Sequence, residues 1–272
     1  LVFTDLDGTL LDHYSYQTTD AEPTLVALKF HDIDIIPNSS KTASEIESIR
    51  EKLQLFAPFI IENGAAVYIP INYFNTQPEG TFIDNGYWVK PFCQPVAHWL
   101  ALLTEKMSSF SHCYQGFSQL STQQISTLTG LTIEQSKMAK QRQYGEPLDW
   151  LGTEQDKLAF IQQITAMGAN IVQGGRFLHL SGRCDKGKAQ AWLTQLYQKN
   201  YRDKSVMSVA LGDSENDNAM LEQATIAIQV SSPVHGFPTL QRSKNVYQSH
   251  QYGPAGWATC LQQVLLSKLE RC

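Results

Sequence analysis

Short hydrophobic runs recur in the first and last thirds of the chain, and stretches with helical spacing of apolar residues lie between them. The run at residues 1–4 is apolar or β-branched throughout, and the run at 206–211 has a similar character. Such runs are typical of strands that are buried on both faces of a parallel sheet. The pattern predicts strands at residues 1–4, 33–37, 57–61, 206–211, 226–230 and 245–248. It predicts helices at residues 21–30, 43–55, 185–197, 218–223 and 254–269.

The middle segment has a different pattern of hydrophobic and polar positions. Its predicted helices lie at 95–107, 132–142 and 154–167, and its predicted strands lie at 112–117, 146–151, 170–173 and 176–180. Gly174 and Gly175 separate the last two strands and predict the turn of a hairpin. Because strands and helices do not alternate strictly here, we expect this segment to form an α+β domain.

The order of these patterns predicts an α/β protein with a doubly wound parallel sheet and an inserted second domain. We expect residues 1–83 and 183–272 to form the core, and residues 84–182 to form the insertion.

Composition narrows the class of protein. The chain has 272 residues, is 42% hydrophobic and carries a formal net charge of −5 at pH 7, which argues against nucleic-acid binding. No apolar run approaches the roughly 18 residues of a membrane span, and no signal peptide is visible. The cysteines lack any Cys-x-x-Cys spacing and are expected to be reduced thiols: Cys93, Cys113, Cys184, Cys260 and Cys272. We therefore expect a cytoplasmic protein without a membrane partner.

Candidate chemistry lies where the predicted strands end. Asp5 and Asp7 follow the first strand, Ser39 and Ser40 follow the second, and Asp213 follows the fourth. Open α/β sheets place their ligands at the carboxyl ends of their strands. Two carboxylates that point into one site can share a hard cation such as Mg²⁺.

These side chains have the chemistry that hydrolysis of a phosphate monoester requires. Asp5 can attack the phosphorus, while Asp7 can protonate the leaving alcohol and then deprotonate the attacking water. Ser39 can bind the phosphoryl oxygens, and Lys186 can screen their negative charge. Asp213 can complete a metal site with Asp5 and Asp7. Two further polar residues can support the metal or the lysine, Asn216 and Asp217.

Simpler interpretations exist for two of these motifs. Ser39 or Ser40 can merely cap the helix that follows. Residues 182–188 match the start of a P-loop, G-x-x-x-x-G-K, but Ala189 stands where a P-loop has the hydroxyl residue that holds Mg²⁺. A P-loop nucleoside triphosphatase is therefore not favoured.

The motifs resemble those of the haloacid dehalogenase (HAD) superfamily. In this chain they are Asp5–Leu10, Ser39–Lys41, Lys186 and Gly212–Asp217, in the superfamily's order. The resemblance implies a Mg²⁺-dependent reaction through an aspartyl-phosphate. It also implies that the insertion is an α/β cap of the second type, C2, which governs substrate specificity.

A closer resemblance, to the mannosyl-3-phosphoglycerate phosphatase family, extends along nearly the whole chain. It rests on residues 39–42, 62–65, 129–131, 141–147 and 174–177. It implies hydrolysis of a small phosphorylated sugar-glycerate, mannosyl-3-phosphoglycerate, to mannosylglycerate and phosphate. The residues expected to contact this substrate are Ser40, Asn63, Arg142 and Arg176.

Three alternatives stay open from the sequence. The protein can be another sugar-phosphate phosphatase of the same cap class, or a phosphotransferase of the phosphomannomutase kind. It can also be a binding protein whose site has lost its catalytic activity, although the presence of all the motif carboxylates argues against that.

Overall fold

The computed structural model describes residues 1–174, 176–201 and 205–267. The chain forms two compact units. The first comprises Leu1–Ser40, Leu55–Lys90 and Asp185–Cys272, and the second comprises Lys41–Gln54 and Pro91–Cys184.

The strands are β1 (Val2–Thr4), β2 (Ile35–Pro37), β3 (Phe59–Ile61), β4 (Ala66–Pro70), β5 (Phe82–Asp84), β6 (Tyr87–Pro91), β7 (Tyr114–Gly116), β8 (Glu146–Trp150), β9 (Asn170–Gly174), β10 (Phe177–Ser181), β11 (Val209–Gly212), β12 (Ile226–Ser231) and β13 (Val246–Tyr252). The α-helices are α1 (Glu22–Phe30), α2 (Ala43–Leu53), α3 (Val96–Lys106), α4 (Thr122–Thr129), α5 (Ile133–Ala139), α6 (Glu154–Ala166), α7 (Lys186–Asn200), α8 (Asn218–Gln223) and α9 (Gly253–Leu261).

The first unit is built on a parallel sheet with the strand order β13-β12-β11-β1-β2. All residues of β1 and β11 are buried, as their hydrophobic runs predict. Helices α8 and α9 pack against strands of this sheet. Because β1 and β11 are neighbours, the residues that follow them meet at the same edge. The prediction of a doubly wound parallel sheet is confirmed.

One predicted strand of that sheet belongs elsewhere. β3 pairs antiparallel with β4 in a second sheet of order β3-β4-β6-β5, and only a single parallel bridge, between Asn38 and Ile60, links it to the end of β2. The prediction that residues 57–61 form a strand of the parallel sheet is therefore wrong. In the following turn, Glu62, Asn63 and Gly64 all have positive φ and lead the chain back into β4, so the ladder of β3 is that of the hairpin.

The second unit has an antiparallel sheet of order β7-β8-β10-β9 together with helices α2 to α6. Its core includes Trp99, Phe160 and Leu178. The prediction of an α+β unit is confirmed, and so is the β9–β10 hairpin, although Gly175 of its turn lies outside the described residues.

Several elements were not predicted from the sequence. Helix α4 was missed because only Ile125 of its residues is buried, so its apolar periodicity is weak. Strands β4, β5 and β6 were also missed; Phe82 and Ile83 of β5 are largely exposed and give no buried run.

Helix α9 continues into a π-helical turn at Gln262–Leu266, and residues 268–269 of the predicted helix lie outside the described residues. The described cysteines, Cys93, Cys113, Cys184 and Cys260, form no disulfide, and Cys272 lies outside the described residues. None of the described helices combines the length and the apolar character that crossing a membrane requires.

The turn after β3 makes a tight contact with the start of α7. Gly64 has a φ of +88°, and a methyl group there would lie 2.1 Å from the carbonyl oxygen of Asp185. We expect Gly64→Ala to lower the free energy of unfolding by on the order of 2–4 kcal/mol, through backbone strain and this clash. Urea denaturation measures the change. Gly236→Ala is the control, because a methyl group there meets nothing within 4 Å; equal effects of the two substitutions would refute the account.

Candidate active site

The adjacent strands β1 and β11 bring Asp5 and Asp213 to one edge of the parallel sheet. The backbone N–H of Asp5 donates to the carbonyl of Leu211 at 2.9 Å, which extends the parallel pairing past the end of β1. Both aspartates are buried. Gly8 has a φ of +78°, and a methyl group there would lie 2.7 Å from Oδ2 of Asp213. A glycine at this position therefore allows the loop after β1 to lie against the Asp213 carboxylate.

Lys186 stands at the first turn of α7, and its side chain is completely buried. Asp185 caps the helix by accepting the Lys188 N–H at 2.8 Å, which fixes where the helix begins. The Lys186 Nζ donates to Oδ1 of Asp5 at 2.5 Å and to Oδ1 of Asp217 at 2.6 Å. Burial lowers the pKa of Lys186, but the two carboxylates outweigh this effect and raise it, so the lysine stays protonated.

Asp217 links the lysine to the loop that follows β11. Its Oδ2 accepts the backbone N–H groups of Asp213 and Ser214, each at 3.1 Å, while its Oδ1 binds Lys186. Gly212 permits this arrangement, because a methyl group there would lie 2.5 Å from the Cβ of Asp217. Asp217 is fully buried and holds both the lysine and the loop in place.

Asp213 is held by two polar side chains. Its Oδ1 accepts the Thr9 hydroxyl at 3.2 Å, and its Oδ2 lies 3.4 Å from Nε2 of His235. Burial and the neighbouring Asp217 raise the pKa of Asp213 to about 6, although His235 and Thr9 oppose the shift. Burial likewise raises the pKa of Asp5, an effect that Lys186 opposes. The site is therefore short of positive charge.

Three of these carboxylates could hold a metal ion. Oxygen atoms of Asp5, Asp213 and Asp217 all lie within 4.8 Å of one another, and all three residues are buried. Asp7, which we expected among the ligands, is not part of this group. It is half-buried, and its charge contributes to the raised pKa of Asp5.

Ser39, Ser40 and Asn63 also belong to the first unit. Ser39 is fully buried; its N–H donates to the carbonyl of Ile60 at 3.1 Å, and its own carbonyl accepts the Asn63 N–H at 2.9 Å. Neither serine caps the following helix, because Thr42 is its N-cap and forms a capping box with Glu45. The serine side chains are therefore not accounted for by helix capping.

Asn216 connects two loops of the site. Its Nδ2 donates to Oδ1 of Asn63 at 3.1 Å, and its Oδ1 accepts the Ser214 hydroxyl at 2.5 Å. This pair ties the left-handed turn after β3 to the loop after β11.

Arg142 and Arg176 lie in the second unit. Arg142 follows helix α5, which ends at Ala139 rather than reaching residue 142 as predicted. Arg142 interacts electrostatically with Glu146. Burial raises the pKa of Glu146 above its ordinary value, and Ser118 and Arg142 oppose this shift. Arg176 donates from Nη1 to the carbonyl of Leu128.

Sequence reasoning missed several residues that support the site. Thr9 lies within the Asp5–Leu10 motif and could have been found from its hydroxyl. Asn38 donates from Nδ2 to the carbonyl of Lys186 at 3.1 Å and is fully buried, so it links the end of β2 to the start of α7. His235 carries no motif signal.

The Asp213→Asn variant tests whether the negative charge of Asp213 destabilises the folded, metal-free protein. The unfolded pKa of an aspartate is about 4, and that of Asp213 in the folded protein is about 6. The folded state therefore binds the proton more tightly, and the contribution of this carboxylate to stability falls as the pH rises from about 4 through 6. At pH 7 we expect Asp213→Asn to raise the free energy of unfolding of the metal-free protein by on the order of 1–3 kcal/mol.

The measurement is chemical denaturation with chelator present, repeated with Mg²⁺. We expect Mg²⁺ to stabilise the unchanged protein and not Asp213→Asn. The exposed Asp20 supplies the control, Asp20→Asn, with little change in either condition. A metal-free Asp213→Asn protein that is less stable than the starting protein at pH 7 would contradict the assignment.

Comparison with known proteins agrees with this geometry. A sequence model of the haloacid dehalogenase-like hydrolases matches residues 2–78. The solved structure of a HAD subclass IIB sugar phosphatase shares the fold, with a TM-score of 0.60 and 14% identity over 96% of this chain and 97% of that chain. The parallel sheet, its buried carboxylates and the matching sequence model thus define a hydrolase of the haloacid dehalogenase-like class.

Closer relatives narrow the class. The glucosyl-3-phosphoglycerate/mannosyl-3-phosphoglycerate phosphatase of Methanococcoides burtonii is 33% identical over 265 residues, which are 97% of this chain and 97% of that protein. The mannosyl-3-phosphoglycerate phosphatase of Pyrococcus furiosus is 35% identical over 236 residues, which are 86% of this chain and 92% of that protein. The chain belongs to the family of these phosphatases and is a phosphoric monoester hydrolase.

Proposed function

We propose that this chain hydrolyses mannosyl-3-phosphoglycerate to mannosylglycerate and phosphate, with Mg²⁺ as cofactor and an aspartyl-phosphate on Asp5 as intermediate. The observation that carries the proposal is the buried ion pair between Lys186 and Asp5, with Asp213 close enough to share a cation. The relatives that carry this activity in their names support the choice of substrate.

The donor set suits a hard divalent cation. Mg²⁺ is usually bound through one or two carboxylates, waters and substrate phosphate. Both oxygens of Asp217 are engaged by Lys186 and backbone N–H groups, so we assign the ion to Asp5 and Asp213, with Asp217 in support. When bound, the ion would neutralise charge on the transferring phosphoryl group. The assignment of Asp7 as a further ligand stays a prediction.

In the first step, a carboxylate oxygen of Asp5 attacks the phosphorus. The bond between phosphorus and the C3 oxygen of the glycerate breaks, and Asp7 gives its proton to that oxygen. The sugar-glycerate alcohol leaves, and the phosphoryl group stays on Asp5. Lys186 binds Oδ1 of Asp5, and this contact orients the carboxylate for attack.

In the second step, Asp7 accepts a proton from a water molecule, and the water oxygen attacks the phosphorus of the aspartyl-phosphate. The bond between phosphorus and Asp5 breaks, which releases phosphate and restores the Asp5 carboxylate. Asp7 is protonated again at the end, so the proton balance of the cycle is closed. Ser39 and Lys186 are proposed to hold the phosphoryl oxygens during both steps.

Substrate selection is proposed for Ser40, Asn63, Arg142 and Arg176. An arginine pairs with a carboxylate through two parallel hydrogen bonds, and the glycerate part of the substrate carries a carboxylate. The positive charge of Arg142 lowers the pKa of the buried Glu146, against the larger effect of burial. Asn63 is fixed by Asn216 and by the Ser39 carbonyl.

A second substrate is favoured by the comparisons. The Methanococcoides burtonii protein covers more of this chain than the Pyrococcus furiosus protein does, and its name includes glucosyl-3-phosphoglycerate. We therefore propose glucosyl-3-phosphoglycerate as an additional substrate.

The test is phosphate release from a panel of phosphate esters with Mg²⁺ and, in parallel, with chelator. The panel holds mannosyl-3-phosphoglycerate, glucosyl-3-phosphoglycerate, mannose phosphates and sucrose phosphate. Preference for the first two, lost in chelator and restored by Mg²⁺, is the expected result. Weak phosphate release from many of these esters would indicate a general sugar phosphatase instead. Transfer of phosphate between sugar positions that requires a bisphosphate activator would indicate a phosphotransferase instead.

A further inference from the structure

The segment between β12 and β13 has no helix or strand, yet it is firmly attached to the core. The buried Gln229 donates from Nε2 to the carbonyl of Pro238, and its Oε1 accepts Nε2 of Gln248 at 3.0 Å. Near the other end of the segment, the Arg242 guanidinium donates to the backbone carbonyls of Leu221, Glu222, Ala224, Thr225 and Lys244. These contacts fix the segment in its middle, at Pro238, and near its C-terminal end, at Arg242.

The fixed segment carries His235 to the acidic site. The His235 Nε2 lies 3.4 Å from Oδ2 of Asp213, and its Nδ1 lies 3.0 Å from the carbonyl of Gly236. The side chain is 40% exposed, so its position is set by the segment and by these contacts rather than by burial.

His235 completes the set of groups that surround the Asp213 carboxylate. Thr9 donates to Oδ1 at 3.2 Å, and the backbone at Gly8 comes close enough to Oδ2 that a methyl group would clash with it. Oδ2 therefore lies between Gly8 and His235. Thr9 and His235 thus contact different oxygens of the carboxylate, and together they restrict its rotation.

We propose that His235 is a positioning residue that orients Asp213 as a metal ligand and thereby raises the affinity of the site for Mg²⁺. The inference rests on the metal site of the proposed function. Polar groups that contact a metal ligand reduce its freedom before the ion arrives, and their removal typically costs about 10- to 100-fold in metal affinity. His235 contacts Asp213 rather than the reacting atoms, so the expected effect is on ion binding and not on the chemical step.

The test titrates Mg²⁺ against the thermal stability of the protein without substrate, and then against its turnover. For His235→Ala we expect the half-saturating Mg²⁺ concentration to rise about 10-fold or more in both titrations. At saturating Mg²⁺, kcat should stay within roughly threefold of the unchanged protein. His235→Gln should recover part of the affinity, because its side-chain amide can donate to the same carboxylate oxygen.

His250→Ala is the matched control, because His250 is an exposed histidine of β13; it should titrate like the unchanged protein. A His235→Ala protein with unaltered half-saturating Mg²⁺ would overturn the proposal. So would a lower melting temperature of the metal-free variant that His235→Gln fails to restore, since that would indicate a structural role. If Mg²⁺ stabilises neither the variant nor the unchanged protein, the metal site itself is wrong, and the inference falls with it.

Discussion

Asp5→Asn is expected to lower kcat by about 10⁴-fold or more. An amide cannot form the acyl-phosphate bond, so the covalent route is closed while the size of the side chain is kept. Asp5 is buried and contacts Lys186 through Oδ1, a contact that the amide oxygen of asparagine can keep. The fold should therefore survive the substitution.

Phosphate release from mannosyl-3-phosphoglycerate measures the loss, and circular dichroism and the melting temperature report the fold. Asp20→Asn again serves as the control, since Asp20 is exposed and lies outside the site. Turnover by Asp5→Asn within about tenfold of the unchanged protein would remove Asp5 as the nucleophile.

Lys186→Met is expected to cause the largest loss of stability, together with a loss of activity. The lysine is fully buried between Asp5 and Asp217, so its removal leaves two carboxylates without their common positive partner. Removing one member of a buried ion pair typically costs about 3–5 kcal/mol. We expect a loss of this size in the free energy of unfolding, with turnover reduced at least about 100-fold.

Lys188→Met is a closely matched control. Lys188 stands on the same turn of α7 but is mostly exposed, and it pairs with Asp185 at 3.2 Å. Exposed pairs contribute about 0–1 kcal/mol, so little change is expected. The double variant Lys186→Met/Asp217→Asn removes one uncompensated carboxylate and should regain part of the lost stability. Equal losses for Lys186→Met and Lys188→Met would contradict the role of the buried lysine.

The parallel sheet could be predicted from the sequence because its central strands, β1 and β11, come from short, fully buried runs. The runs at residues 1–4 and 206–211 predict β1 and β11. Because these two strands are neighbours in the sheet, Asp5 and Asp213 lie at the same end of it. The same signal misplaced β3. Its apolar run is as strong, but the left-handed turn at Glu62–Gly64 sends the chain back as a hairpin, and hydrophobicity alone does not reveal the direction of pairing.

The carboxylates and the lysine of the site were identified from motif chemistry, but their supporting contacts were not. Asp217 contacts the lysine, and Asn216 contacts Asn63, because of how two loops are folded against each other. His235 reaches Asp213 from a long irregular segment that Gln229 and Arg242 hold against the core. Contacts of this kind depend on tertiary placement and leave no local pattern in the sequence.

Two helices of the second unit show how far local spacing predicts the ends of a helix. Helix α6 was predicted within one residue of its bounds, because its buried Phe160 and Ile164 repeat with helical spacing. Helix α5 is shorter than predicted, and Arg142 consequently lies in the loop after it. Capping at Thr132 sets the start of α5, whereas nothing in the local pattern marks its end.

The most direct test of the account is to stop the reaction with acid during turnover and to analyse the protein by mass spectrometry. The sample would contain the unchanged protein, Mg²⁺ and mannosyl-3-phosphoglycerate. We predict a phosphoryl group on the peptide that contains Asp5, absent from Asp5→Asn and from a sample without substrate. Phosphate release without any phosphoryl group on the protein, or with the group on another residue, would contradict the aspartyl-phosphate mechanism. The absence of both phosphate release and protein phosphorylation would contradict the proposed substrate.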